Sequence, residues 1–229
     1  MTLPATFLLA AVCLCGEAPE RANDFFWEND KVGFRAYGPG DEHKWSGIDL
    51  FIKNTPTNAV VHLLRGHGDY GNWHENANPL AYDSFALGAR RGVGAVAVFA
   101  DGEWKTYPGW ETCRVIHTGD DYLAFELVYP ACSALGKMTY HVTMKKGDGF
   151  YRNDVTFEFP DRMAEGWLVG PGVSEDPGCE AKPFIRTLKG DEGKAVKTKD
   201  HLGCEVLGFK TAEFSYEAGF KVVKQEERK

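Results

Sequence analysis

KMTYHVTMKKGDGFYRNDVTFEFP, residues 137–160, alternates with a period of two on both sides of a Gly-Asp-Gly turn. Met138, Tyr140, Val142 and Met144 alternate with Thr139, His141, Thr143 and Lys145; beyond the turn Val155, Phe157 and Phe159 alternate with Asp154, Thr156 and Glu158. Successive side chains of a strand point to opposite faces, so this pattern predicts an antiparallel hairpin with one face buried and one wet.

The flanking sequence repeats the pattern. In CRVIHTGDDYLAFELVYP, Leu123, Phe125, Leu127 and Tyr129 share one face and Glu126 points the other way. GAVAVFADGEW reads as a strand entering an Asp-Gly hairpin turn. Val32, Phe34 and Ala36 alternate with Gly33, Arg35 and Tyr37 before a Gly-Pro-Gly stop, and GIDLFIK and AVVHLLR read as further short strands. EGWLVGPGV, PFIRTLKG, CEVLGFKTAEF and GFKVVKQ extend the series toward the C-terminus, with no convincing amphipathic helix and no internal repeat. Many short strands separated by Gly, Pro and Asp predict an all-β fold, a large antiparallel β-sandwich.

The 229 residues suffice for one large core, and 43% hydrophobic with 26% charged residues is an ordinary soluble composition. A net charge of −7 gives no basic footprint, so no nucleic-acid partner is expected. Residues 1–18 are signal-peptide-like, apolar from Leu3 to Cys15 but too short to span a bilayer; no other segment could span one. The expectation is therefore export to the periplasm or extracellular space, with residues 19–229 as a single sandwich domain; the alternative is a buried N-terminal segment. Cys113, Cys132, Cys179 and Cys204 have no metal-ligand spacing. They are either disulfide-paired or small core hydrophobes.

One stretch breaks the strand pattern. From His67 to Gly94, HGDYGNWHENANPLAYDSFALGARRGVG gathers histidines, acids, aromatics and paired arginines between glycines. Long loops without secondary structure are uncommon in compact domains and are usually functional or disordered, and the aromatic content argues for order. It reads as a ligand-facing loop on a rigid scaffold.

The run APERANDFFWENDKVGFRAYGPG, then SGIDLF, then WHENANPLAYDSFALGARRGVGAVAVFADGEW resembles the bacterial domain of unknown function 4861 over roughly Ala18 to Phe159. Members of that family occur among polysaccharide-degrading genes, and one is described as an oligosaccharide dehydratase acting on ulvan fragments. The resemblance implies an antiparallel supersandwich akin to galactose mutarotases and several polysaccharide lyases. It carries a histidine onto His74 and an aspartate onto Asp83. Where the family pattern has a tyrosine two places after that aspartate, this chain has Phe85, and Tyr82 is the tyrosine at hand.

The implied activity is β-elimination, by a lyase or dehydratase, on oligosaccharides containing uronic acid. It requires neutralisation of the sugar carboxylate, a base for the adjacent C–H proton and an acid for the departing oxygen. Arg90 or Arg91 could hold the carboxylate. His74 could be the base, because imidazole titrates near working pH. Tyr82 is the candidate acid, Asp83 could orient the histidine or a sugar hydroxyl, and Tyr70 and Trp73 could stack on a ring. No cofactor and no metal are expected, since His67 and His74 with Asp69 and Glu75 match no familiar metal motif. Each residue also has a plainer reading: a loop hydrogen bonder for His74, structural ion pairs for the arginines, a turn former for Asp83, a loop anchor for Trp73. The competing functional classes are a non-catalytic carbohydrate-binding module and a purely structural β-sandwich domain.

Overall fold

The computed structural model describes residues 12–41, 47–66, 78–83, 87, 90–132, 135–159, 167–174, 181–190, 196–200 and 202–222. The central hairpin forms as the alternation predicts. Strands β10 (Met138–Lys145) and β11 (Phe150–Phe157) pair antiparallel, Met138 opposite Phe157 and Thr143 opposite Arg152. Met138, Tyr140, Val142, Met144, Tyr151, Val155 and Phe157 are buried. On either side lie β9 (Tyr122–Tyr129) and β8 (Thr112–His117), and β16 (Glu213–Val222) and β13 (Ala181–Lys189), completing a six-stranded sheet in the order β13-β16-β11-β10-β9-β8. The C-terminal strand reading changes in two respects: CEVLG alone is β15 (Cys204–Gly208) while EFSYEAGFKV is one continuous strand, β16, and Val196–Lys199 form a strand, β14, that the pattern did not predict.

Two five-stranded sheets cover the inner face of this sheet. The first runs β1-β2-β3-β4-β5, from β1 (Leu14–Ala18), β2 (Asp24–Glu28), β3 (Val32–Ala36), β4 (Ile48–Lys53) and β5 (Ala81–Asp83). The second runs β14-β15-β12-β6-β7, adding β6 (Val93–Ala100), β7 (Glu103–Lys105), β12 (Leu168–Ser174) and β14 (Val196–Lys199). A parallel bridge between Ile48 and Gly92 joins the two edge to edge. One core cluster draws on all three sheets, including Trp27, Phe34, Val98, Phe125, Tyr151 and Phe214. Each large side chain buried there contributes about 1.5–3 kcal/mol. The chain is an all-β antiparallel sandwich, as the sequence predicts.

The sandwich layers are tied by polar groups as well as packing. Tyr151 donates its hydroxyl to the Val93 carbonyl at 2.7 Å, Tyr216 donates to the Gly94 carbonyl, and Tyr140 accepts the Val96 amide at 2.8 Å. All three hydroxyls come from the six-stranded sheet and satisfy backbone groups of β6, where the β7 ladder covers only Val98–Ala100. The Asp101-Gly102 turn between β6 and β7 has positive φ at both residues (56° and 85°), as its sequence predicts for a tight hairpin. On the outer face of the six-stranded sheet, Glu126 accepts from Arg114 Nε at 2.6 Å and pairs with His141 Nδ1 at 2.9 Å. These exposed pairs contribute at most about 1 kcal/mol each.

AVVHLLR is not a strand. Ala59–Arg65 form helix α1, and Ala59, Val60 and Leu64 are buried against the outer face of the first sheet. The helix start is held from a distance: Glu28 on β2 accepts the amides of Ala59 (2.9 Å), Val60 (3.1 Å) and Val61 (3.0 Å). These are donors that an isolated helix leaves unpaired. Lys53 meets the same carboxylate at 2.7 Å, with both side chains fully buried. Gly33 permits the close approach, because a Cβ there would strike the Val60 side chain and lie 3.2 Å from Glu28 Cβ.

Residues 14–18 of the leader-like stretch are strand β1, paired with β2 from Leu14 opposite Glu28 to Ala18 opposite Asp24. Cys13 and Cys15 lie in the core. Cys113, Cys132 and Cys204 carry free thiols, and Cys179 lies outside the described residues. No helix among the described residues is long and apolar enough to cross a membrane.

Candidate functional site

The first sheet carries charge where most sheets carry either core or solvent. Its inner face supplies Val32, Phe34, Ala36, Ile48 and Leu50 to the core. The alternate positions are also buried, and they include Asp24, Arg35, Asp49 and Asp83. Four neighbouring strands thus each place at least one ionisable group on the outer face, because the period of two that buries their apolar residues sends these to the other side.

Arg35 is the hub. It sits opposite Asp49 in the β3–β4 register and pairs with that carboxylate. Its Nη1 is 3.4 Å from Asp24 Oδ2, and its Nη2 donates to the Tyr37 hydroxyl at 2.9 Å. The guanidinium also lies 4.5 Å from the Tyr37 ring centroid and 5.9 Å from that of Phe51, the residue opposite Asp83. Burial works against the charge of Arg35, but Asp49, Tyr37 and Asp24 more than offset it, so the group stays charged.

The other members respond to the same environment. Burial raises Asp24 to about 6, against the pull of Arg35 and a hydrogen bond from the Gly38 amide at 2.9 Å. Burial first, then the Asp49 carboxylate and more weakly Asp83, hold the Tyr37 hydroxyl well above the usual tyrosine range. A buried phenol that keeps its proton, beside a carboxyl poised near 6, forms an acid–base arrangement of the kind found at functional sites more often than elsewhere.

Tyr82 and Asp83 are separated by the strand itself. Asp83 pairs with Phe51 and Tyr82 with Ile52, so their side chains leave β5 on opposite faces. Asp83 joins the Arg35–Tyr37 cluster; Tyr82, half-buried, does not. Arg91 goes elsewhere as well. Its Nη2 lies 3.5 Å from Asp200 Oδ2, its guanidinium 5.7 Å from the Trp104 ring centroid, and burial lowers its pKa. These partners belong to the second five-stranded sheet and its flank. Arg90 is half-buried beside it, its amide donating to the Leu87 carbonyl at 3.0 Å.

His67, Tyr70, Trp73, His74 and Phe85 lie outside the described residues, as does His43. In sequence, His74 falls between α1, which packs on the outer face, and β5, which carries Asp83 to that face. Among the described residues of the His67–Gly94 stretch, Ala81–Asp83 form β5, and Val93 and Gly94 begin β6. Among the described residues, no three His, Cys, Asp or Glu side chains are grouped to hold a metal ion.

Sequence reasoning missed Asp24, Arg35, Tyr37 and Asp49. One signal was present: Arg35 and Asp49 each stand at a strand position between two apolar residues. An ionised group there is rare unless paired.

No solved structure matches the chain. An uncharacterised protein from Formosa agariphila, "Uncharacterized protein P7", is 28% identical over 177 residues, covering 71% of this chain and 45% of that protein. The chain thus spans less than half the length of this relative. A family model described as "Domain of unknown function (DUF4861)" matches residues 10–220, which takes in all three sheets from β1 to most of β16. The chain belongs to that family.

Proposed function

We propose that the protein acts on oligosaccharides containing uronic acid by β-elimination, with its reacting centre on the outer face of the first sheet. The observation that carries this reading is the Tyr37 hydroxyl, held protonated between Arg35 and the Asp49 and Asp83 carboxylates. His74 is the base that removes the proton next to the sugar carboxylate. The C–H electron pair becomes the new double bond as the β C–O bond breaks, and Tyr37, in place of Tyr82, gives its proton to the departing oxygen. Asp83 orients the substrate or His74. Arg90 is assigned the substrate carboxylate, because Arg91 is engaged with Asp200. Tyr70 and Trp73 are assigned to ring stacking.

Export belongs to the same proposal, since polymeric acidic sugars are met outside the cytoplasm.

The test is to incubate the protein with a panel of uronic-acid oligosaccharides and follow the absorbance of unsaturated uronate. A rise that is lost in His74→Ala and Tyr37→Phe supports the reading. A rise unaffected by both variants overturns the residue assignments. The acid-rich character of the cluster, with Asp24 and Asp49 on one guanidinium and Asp83 acting on Tyr37, favours a second reading: a non-catalytic carbohydrate-binding domain. Binding of the same panel without any absorbance change would select it, and absence of both would leave a structural role.

A further inference from the structure

We propose that the outer face of the six-stranded sheet, where β11, β16 and β13 lie side by side, holds a chain of carboxylated sugars. This face lies on the opposite side of the sandwich from the Arg35–Tyr37 cluster. The choice of uronates among acidic ligands rests on the elimination reading; the anion-binding character of the face does not.

Strand register builds the surface. Tyr151 and Val155 of β11, with Tyr216 and Ala218 of β16, are buried in the core, so the alternate residues of these strands face outward. Three cross-strand rows result. Lys182 stands opposite Lys221. In the next row Gly219 lies between Phe150 and Phe184, and in the third Glu217 lies between Arg152 and Arg186. From Lys182 to Arg186 the strand advances about 13 Å, more than one sugar ring needs.

The charges are arranged at a cost to the fold. Like charges directly opposite one another destabilise a sheet. Neither Lys182 nor Lys221 meets a carboxylate among the described residues, although Lys221 lies 5.3 Å from the Phe184 ring centroid. Lysine and proline on an edge strand protect it from pairing with other chains, which accounts for Lys182 and Pro183 on β13. It does not account for Lys221 and Arg152, because β16 and β11 are interior strands. Glu217 accepts from Arg186 Nε at 2.7 Å and Asp154 from Arg152 Nη2 at 2.8 Å. Asp148, in the turn before Phe150, adds a carboxylate at the margin. The four cations still outnumber their counter-charges, on a chain whose net charge is −7.

Surplus positive charge beside apolar surface suits an anion with apolar faces. A uronate ring brings one carboxylate, which a guanidinium or an ammonium can take, together with C–H groups that pack on phenyl rings. Gly219, where a Cβ would strike Phe150, lets the two rings meet edge to face with centroids 6.2 Å apart. With Lys221 over Phe184 as well, neither phenyl offers the open face on which nucleobases stack. The negative net charge of the chain also opposes the dense charge of a nucleic acid more than the sparser charge of a polyuronate.

The experiment is isothermal titration calorimetry of the full chain with polygalacturonate fragments, the same fragments fully methyl-esterified, and oligo(dT). The expected result is binding of the acidic fragments that weakens as salt is raised. Esterification, and the double variant Lys182→Ser with Lys221→Ser, should each weaken it by about fivefold or more. Both lysines are exposed, and the urea midpoint of the double variant should equal or exceed that of the native chain, because a like-charge pair is removed. The proposal is overturned if millimolar acidic fragments do not bind, if esterification or the double variant leaves binding unchanged, or if oligo(dT) binds as tightly. Lysine-dependent binding without any uronate turnover would count against the elimination reading and not against this one.

Discussion

Arg35 donates to the Tyr37 hydroxyl across 2.9 Å while its guanidinium lies over the same ring, so one cation fixes the tyrosine by its edge and its face. The hydroxyl also hydrogen-bonds the Asp49 carboxylate, so it is held from two sides, and in the elimination reading its proton passes from Asp49 to the departing oxygen.

Tyr37→Phe should therefore lower elimination by about 10²–10⁴-fold, the usual contribution of a positioned acid or base. It should cost about 1.5–3 kcal/mol of stability, because the hydroxyl is hydrogen-bonded to both the Arg35 guanidinium and the Asp49 carboxylate. Tyr82→Phe, on the opposite face of β5, should change the rate by less than a factor of about 3, within the effect of a small packing change. Initial rates with one turned-over oligosaccharide, alongside urea midpoints, make the comparison. The reverse pattern would return the acid role to Tyr82.

Asp24 gives the fold a pH signature. Its pKa is raised from 3.8 to about 6 by burial, so between those values the folded state holds a proton that the unfolded chain has released. Its stabilising effect is complete below about 4 and is lost as pH rises through about 6. Asp24→Asn keeps a neutral group throughout. Relative to the native chain it should gain on the order of 2–3 kcal/mol between pH 4 and pH 7.5. Urea denaturation at those two values tests this, and a constant difference would refute it.

Glu28 and Lys53 form a fully buried pair that also starts α1. Glu28→Gln leaves Lys53 with an uncompensated charge and weakens three amide contacts. The expected loss is about 3–5 kcal/mol, as when one partner of a buried pair is removed. The double variant Glu28→Gln with Lys53→Met should lose less than the sum of the single changes, because no buried charge is then left alone. Chemical denaturation of the four proteins in the cycle gives the coupling directly. Strict additivity would mean that the pair is not a unit.

Much of the fold was legible because the central sheet obeys a local rule. Leu123, Phe125, Leu127 and Tyr129 on β9, with Met138 to Met144 on β10, are buried in alternation with wetter residues, small Ala124 alone excepted. The first sheet does not advertise itself in the same way. Arg35 occupies a position that the alternation assigns to the face away from the core, and nothing local tells that α1 and the neighbouring strands will enclose that face. Helix α1 fails for a related reason. A seven-residue apolar run does not distinguish helix from strand by period, and the carboxylate that starts it, Glu28, lies 31 residues upstream of Ala59. The site was legible only where a motif match fell on it, at Asp83. The cluster around Asp83 is assembled by strand register, which pairs Arg35 with Asp49 and Phe51 with Asp83.

Register also explains why Gly94 stands at the start of β6. Its φ is +96°, and an added Cβ would strike the Tyr151 hydroxyl and lie 2.7 Å from Ala218 Cβ. Gly94→Ala therefore combines backbone strain with overpacking between two sheets, for an expected loss of about 2–4 kcal/mol. Tyr151→Phe removes one of the obstructing atoms along with its 2.7 Å bond to the Val93 carbonyl, at about 1 kcal/mol on its own. In the Tyr151→Phe background, Gly94→Ala should cost about 1 kcal/mol less than in the native chain. It should not be neutral, because Ala218 and the positive φ remain. Thermal or urea unfolding of the four proteins measures that difference. A cycle that closes without coupling would show that the hydroxyl yields freely, and that the demand for glycine here comes from the backbone alone.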